Sequence, residues 1–376
     1  MSALSKFAHH RALSYVAILL AVELLAWAWL TFRVKDPQTE AAKFRSSEIF
    51  DLYTGTRLQP RQGGLILNMT LPCVSQQSEF RIDEHGLHSP SPGLSIAKSQ
   101  TELRVALFGG SKLFGQGVSD TYSTTAAVLE RKLRAEYRDA RVINAAMVGF
   151  LASSEFNFYL TKISAFQPDI VIAVAGLNDG YAASDARANP YKRSEQVEIE
   201  RAANAALLGP AALPSTALVS ELIKRTHAGR AAELIGRRYL WTPTEPAPAA
   251  STLDPDPAGR SASFLTILDD FHAVVERRGA AFVATIEPSQ FVAYTPSSED
   301  LACLDKSSFQ HYAPTVRDFT RLVVEGARSR PWLRDLTTMF AQTSGVYVDY
   351  AHLNGRGQTI LADALFDIVV RLKPPP

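Results

Sequence analysis

Cysteine is scarce in this sequence. Its 376 residues hold two, Cys73 and Cys303, far apart and without a C-x-x-C or Cys/His spacing, so nothing in them resembles a structural zinc site. They read either as a disulfide of a domain outside the cytosol or as two buried thiols. Net charge is scarce too: 39 Lys and Arg against 38 Asp and Glu leave +1. No basic block of five or more residues occurs, and nucleic acid is not an expected partner. Internal repeats are absent. His85 and His88 are spaced by three but lack a carboxylate-rich cluster around them, so no metal is expected. No organic cofactor is implied either.

What the chain does have is enough apolar content to fold: 46% hydrophobic against 20% charged. Residues 12–32, "ALSYVAILLAVELLAWAWLTF", form a nearly continuous apolar run whose only charge is Glu23. The run is about as long as a helix that crosses a bilayer core, and Trp27, Trp29 and Phe32 gather at one end as interface aromatics do. It reads as an uncleaved, single-pass membrane anchor. A cleaved signal peptide ending near Ala26-Trp27-Ala28 and a buried helix of a soluble protein are the alternatives. Lys6 and Arg11 before the run nearly balance Arg33 and Lys35 after it, so orientation is not set by charge.

Three parts follow: an anchor over 1–34, a stem and lead-in over 35–100, and a main domain over 101–376 with an insertion at about 180–262. The insertion contains the Pro-rich "TPTEPAPAASTLDPDPAG" (242–259), read as a surface loop, and Arg237, Arg238 and Tyr239, read as a solvated helix face. In the main domain, apolar runs rich in strand formers alternate with segments of helical periodicity. Strands are expected at 102–108, 141–146, 168–176, 280–288 and 345–350. Helices are expected at 121–138, capped by Asp120, and at 153–165, 263–278, 313–328 and 355–372. Such alternation implies an α/β fold: a doubly wound parallel sheet flanked by helices.

Sites in such sheets form at the carboxyl ends of strands. The first strand runs into "LFGGSKLFGQGVSD" (107–120). This is no phosphate-binding loop, for G-x-x-x-x-G-K-[ST] is missing, and Asp120 stands where a dinucleotide fingerprint needs its third glycine. Nor is it a G-x-S-x-G elbow, because Leu113 replaces the last glycine. The following strand ends carry Gly149 in "NAAMVGF", Asn178 in "AGLND", and Asp349 with His352 in "DYAHLN". A serine hydroxyl needs a base within hydrogen-bond reach, and the base needs an orienting acid. His352 and Asp349 supply both for Ser111. The N–H groups of Ser111 and Gly149 and the carboxamide of Asn178 would meet a developing oxyanion. A second D-x-x-H, Asp269 to His272, lies inside a helical pattern and reads as a helix-face pair.

These four blocks resemble the SGNH hydrolases, the GDSL esterase and lipase family, over about 102–370. The resemblance assigns Ser111 as nucleophile, Gly149 and Asn178 as oxyanion donors, His352 as base and Asp349 as its acid. The upstream "FRIDEHGLHSP" looks like the lead-in of membrane-anchored bacterial members. Two positions depart from the family: Gly110 stands where an Asp is usual, and Lys112 follows the serine. Lys112 either influences substrate choice or is simply solvated. The resemblance implies a serine esterase acting on small acyl groups such as O-acetyl, or on lipid esters, with the domain outside the cytoplasm. An O-acyltransferase acting on envelope glycans and a non-catalytic glycan- or partner-binding domain are the alternatives.

Overall fold

The computed structural model describes residues 20–28, 48–51, 55–58, 63–70, 75–91, 93–184, 255–298, 300–301 and 310–375. The chain divides into two compact units, residues 1–39 with 198–252, and residues 40–197 with 253–376. In the first unit, residues 20–28 are helical and expose Leu20, Val22, Leu24, Leu25 and Trp27. Among the described residues no helix is long and apolar enough to cross a membrane. The rest of the expected anchor (12–32) lies outside the described residues, as do Cys73, Cys303, Arg237, Arg238, Tyr239 and the insertion from 185 to 254.

The second unit opens with two antiparallel pairs: β1 (Glu48–Asp51) with β2 (Gly55–Leu58), and β3 (Gly63–Thr70) with β4 (Ser75–Ile82). Its body is a five-stranded parallel sheet. The strands are β5 (Leu103–Gly109), β6 (Ala140–Asn144), β7 (Ile170–Ala175), β8 (Ala281–Ile286) and β9 (Leu333–Asp335), in the order β6-β5-β7-β8-β9. Every residue of β5 and β7 is buried, which is why β7 reads as an unbroken apolar run and β5 as one interrupted only by Arg104, neither of them alternating.

The helices are α1 (Ser111–Phe114), α2 (Thr125–Glu136), α3 (Ala152–Thr161), α4 (Leu177–Ala182), α5 (Pro257–Arg277), α6 (Ala313–Ala327) and α7 (Gly355–Leu372). Right-handed crossovers put α2, which links β5 to β6, on one face. They put α3, α5 and α6, which carry the chain the other way, on the opposite face. Packing agrees: α2 lies against α7, while α5 lies against α3, α4 and α6. The chain reverses direction across the sheet at β5, the switch point where such folds open a crevice.

Four expectations change. The run 242–259, read as a surface loop, gives its last three residues to α5, which starts at Pro257 behind the cap Asp256 rather than at 263. The helix expected at 121–138 is split. Asp120 caps only a 3-10 turn, Thr121–Ser123, and Thr124 caps α2 through Ala127 N–H. The residues at 345–350 do not form the fifth strand. They fold back on 352–354, with Val348 N–H donating to His352 O and Asn354 N–H to Val346 O, both at 2.9 Å. Their hydrogen bonds are thus used locally, and the three residues of β9 take the outer place beside β8. The short helix α4 forms just past β7, where no helix is expected from the sequence.

The lead-in packs onto the start of the site. Ser78 Oγ donates to Val118 O at 2.7 Å, and Glu79 N–H to Ser119 O at 2.8 Å. His88 is 1% exposed and bridges two neighbours. A carbonyl can only accept, so Nδ1–H donates to Phe114 O at 2.7 Å. Nε2 then accepts from Thr121 Oγ1 at 3.0 Å. His88 is therefore a neutral structural strut, and among the described residues no His/Cys/Asp/Glu group of metal-binding size is present.

Burial lowers the His88 pKa to about 4, outweighing the Phe114 carbonyl, which raises it. Between that value and an ordinary histidine value the unfolded chain binds a proton that the folded chain refuses. Stability is complete above the ordinary value and falls as pH drops toward 4. His88→Gln should cost on the order of 1–3 kcal/mol at pH 7 and flatten this acid dependence. Urea unfolding from pH 7 to 4.5 would check it, and equal slopes for both proteins would count against the neutral strut.

Candidate active site

Ser111 leaves β5 and opens α1, a helix too short to hold itself. Neighbours fix it instead. Gly115, at φ 105°, returns its N–H to Ser111 O. Gln358 of α7 donates to Lys112 O at 2.9 Å, and His88 takes Phe114 O. The serine is thus presented half-buried on a turn pinned at three carbonyls.

His352 sits on the folded-back loop, between the bridge pair Tyr347 and Leu353 and the α7 cap Asn354, whose side chain accepts Gly357 N–H. Its Nε2 lies 2.8 Å from Ser111 Oγ, and its Nδ1 lies 2.7 Å from Asp349 Oδ2. Asp349 is 1% exposed, and its Oδ1 accepts the N–H groups of Ala351 and His352 at 2.8 and 2.7 Å. The three-residue spacing thus forms a closed turn in which the backbone holds one carboxylate oxygen and the imidazole the other. Burial alone would raise the Asp349 pKa. The His352 charge, its hydrogen bond and the two N–H donors outweigh that and hold it below the ordinary carboxylate value. An ionised Asp349 orients the ring with a proton on Nδ1, so in the neutral imidazole the lone pair on Nε2 faces the serine hydroxyl.

Asn178 begins α4, just past β7, and its Nδ2 donates to Phe150 O at 2.8 Å. A Cβ on Gly110 would stand 2.5 Å from that Nδ2. The position where the resemblance leads one to expect Asp therefore has no room for a side chain while Asn178 keeps its place. Gly117, at φ 111°, is constrained in the same way, its Cβ position lying 2.5 Å from Leu353 O. Gly149 takes φ 73° in the turn just before Phe150. It is not among the residues lining the pocket at Ser111, which include Gly110, Leu177, Asn178, Tyr181, Tyr350 and His352. The cavity there is small, about 30 Å³.

Ser111, His352, Asp349 and Asn178 thus converge, and Gly149 lies one step from them through Phe150. Lys112 is not solvated, although it lines the pocket together with Glu287. It is 3% exposed and paired with Glu287 at 2.7 Å. Asp269 and His272 do not pair with each other: Asp269 holds Arg330 through both oxygens, and His272 stacks on Trp332.

Besides Glu287, two more buried acids stand at the site without a sequence motif to mark them. Asp179 is 1% exposed, and one of its oxygens accepts Ala152 N–H at 3.2 Å. Burial, with the Glu287 charge adding to it, raises its pKa to about 7. Burial, with Asp179 and Glu287 nearby, pushes Glu155 well above its ordinary value. The position of Asp179 beside Asn178 was the only available signal.

No family model and no curated protein matches the chain. Solved structures similar to it include an acetyl xylan esterase at 12% identity and TM-score 0.40, covering 71% of this chain and 100% of that one. A lipase/acylhydrolase from Enterococcus faecalis is similar at 13% identity and TM-score 0.39, with 73% and 98% covered. An acetylxylan esterase from Geobacillus stearothermophilus is similar at 12% and 0.39, with 73% and 95% covered.

Gly110→Ala tests the tightest contact here. The atom it meets is the end of a side chain, so Asn178 should swing away while the fold survives. The expected loss is about 1 kcal/mol of stability together with a shifted Asn178 side-chain amide resonance. An unmoved resonance would mean that the added methyl is accommodated elsewhere.

Proposed function

We propose that this chain is an SGNH-type serine hydrolase that cleaves small acyl esters. Ser111 Oγ attacks the ester carbonyl as His352 Nε2 takes its proton, and a tetrahedral oxyanion forms. The Ser111 N–H and the Asn178 amide stabilise that charge, while Gly149, outside the pocket lining, supports them through the turn that carries Phe150. His352 returns the proton to the leaving alcohol, and the acyl group remains on Ser111. Water, deprotonated by His352, then releases the acid. Asp349 holds the imidazole tautomer and stays ionised throughout. A sugar hydroxyl in place of water would turn the same steps into acyl transfer.

The observation that carries this reading is the unbroken chain Ser111–His352–Asp349, with links of 2.8 and 2.7 Å, opening onto a pocket. The cavity, about 30 Å³ and far smaller than a usual ligand pocket, favours a small acyl group with the rest of the substrate left outside. So does the small apolar cluster beside it, in which Leu177, Phe291 and Ala351 pack with Tyr181 and Tyr350. An O-acetylated glycan is the substrate class this favours. No group in the proposed steps calls for a metal or organic cofactor.

The reading extends to location: residues 12–32 anchor the chain in a membrane, with the main domain on the extracytoplasmic side. The outward apolar residues of 20–28 are consistent with a lipid environment.

With a chromogenic acetyl ester, Ser111→Ala should lower kcat at least about 1,000-fold, and a fluorophosphonate should label Ser111 in the wild type alone. Turnover that survives the substitution would remove the nucleophile assignment. Offering a sugar acceptor and looking for acylated product separates transfer from hydrolysis. For the anchor, the full chain should stay with membranes after alkaline carbonate washing, and a chain starting at residue 35 should not. Release of the full chain would exclude an integral span.

A further inference from the structure

The loop after β8, Glu287-Pro288-Ser289-Gln290, contacts three of the four blocks of the site, and none of those contacts is part of the chemistry described above. Glu287 Oε2 accepts from Lys112 Nζ at 2.7 Å, and Pro288 O accepts from the same ammonium. Glu287 Oε1 accepts Leu177 N–H at 2.8 Å. Gln290 Nε2 donates to the main-chain carbonyl of Asp349 at 2.8 Å. Lys112, Glu287 and Gln290 are 3%, 9% and 8% exposed, so these bonds are largely buried, with Lys112 and Glu287 at the wall of the pocket.

The sequence positions of the partners give the loop its meaning. Lys112 directly follows Ser111, and Leu177 directly precedes Asn178. One carboxylate, with both oxygens engaged, therefore spans from the residue after the serine to the residue before the carboxamide. The two blocks leave different strands, β5 and β7, and Glu287 leaves the next strand, β8. Each strand end is independent in sequence, and the carboxylate ties them together. Gln290, three residues on, fastens the loop that carries Asp349 and His352 to the same segment.

We propose that Glu287 is a positioning residue that fixes the spacing between the Ser111 hydroxyl and the Asn178 amide, with Lys112 as its counter-charge and Gln290 holding the histidine loop in the same frame. This rests on the hydrolase reading above. It also explains the lysine after the serine: a buried carboxylate needs a cation, and Lys112 is the residue from which that cation also grips the nucleophile turn. Misplacing reacting groups by about 1 Å can cost on the order of 100-fold in rate.

The test is a double-mutant cycle on the full chain. Glu287→Gln keeps an oxygen for Leu177 N–H but removes the charge that holds Lys112. Its kcat per titrated active site should fall on the order of 10- to 100-fold, with KM little changed. If Glu287 acts through Asn178, the same change made in an Asn178→Ala background should cost no more than about 3-fold. Equal costs in both backgrounds, or a per-site kcat like that of wild type, would overturn the proposal. Should Glu287→Gln fail to fold, Lys112→Met with Glu287→Gln removes both charges together and enters the same cycle. Ser111→Ala turning over as fast as wild type would sink the hydrolase reading and this inference with it. A required Ser111 with additive costs sinks this inference alone.

Discussion

The end of β5 passes too close to its neighbours for any side chain, and the site is arranged around that constraint. A Cβ on Gly109 would stand 2.9 Å from Val174 O, and one on Gly110 would stand 2.5 Å from Asn178 Nδ2. Parallel strands lie roughly 5 Å apart, and Gly109 is in register with Val174 of β7. A chain turning off β5 must therefore cross the end of β7 in contact with it. Two consecutive glycines allow the crossing, and Ser111 is the first residue after them. The short distance between the serine turn and the Asn178 block follows from the sheet register. It needs no long loop to reach across.

The alternation of apolar runs and helical periodicity made the sheet legible, because β5 and β7 are buried on both faces and carry no competing pattern. Ser111, Asn178, Asp349 and His352 were legible for a related reason: each stands at a break in that pattern with a side chain too reactive or too polar for packing. The fifth strand was not. "GVYVDY" has the composition of a strand but satisfies its backbone against 352–354, while "LRD" has one buried residue and no alternation to detect. Lys112 illustrates a deeper limit. Its partner Glu287 lies 175 residues away, and it takes both the β5–β7 and the β7–β8 pairing to bring them together. Local sequence shows a lysine beside a serine; the register decides whether that lysine meets water or a carboxylate.

Beneath the site lies a layer of buried charge: Glu155, Asp179 and Glu287 with Lys112 and Arg260. Three carboxyls share two cations, and burial with this imbalance pushes the pKa values of Asp179 and Glu155 upward. Lys112 is committed to Glu287. The Arg260 charge lowers the Asp179 pKa, yet burial still carries that group to about 7. Glu155, with two acidic neighbours and full burial, holds its proton well past the point where an exposed glutamate would release it. A neutral Glu155 brings the layer toward charge balance, which a low-dielectric interior demands. The layer also joins moving parts of the proposed reaction. Asp179 accepts Ala152 N–H while its neighbour Asn178 donates to Phe150 O, so α4 is fastened twice to the segment that follows Gly149.

The same charge accounting bears on how an oxyanion could be stabilised here. Lys112 is the cation nearest the serine in sequence, but Glu287 and Pro288 occupy its ammonium, so its charge is compensated before substrate arrives. Asp349 adds a negative charge behind the imidazole, which favours an imidazolium and does nothing for an oxyanion. Under the proposed mechanism, the developing charge therefore depends on fixed dipoles, the Ser111 N–H and the Asn178 amide foremost. Dipoles are effective only when preorganised, since a donor that must turn toward the charge spends in reorganisation what it gains in attraction. That requirement gives a physical reason for the tight restraint on both donors: glycines that leave no slack at 109 and 110, a carboxylate bridge from 112 to 177, and a carbonyl at Phe150 that holds the amide of Asn178.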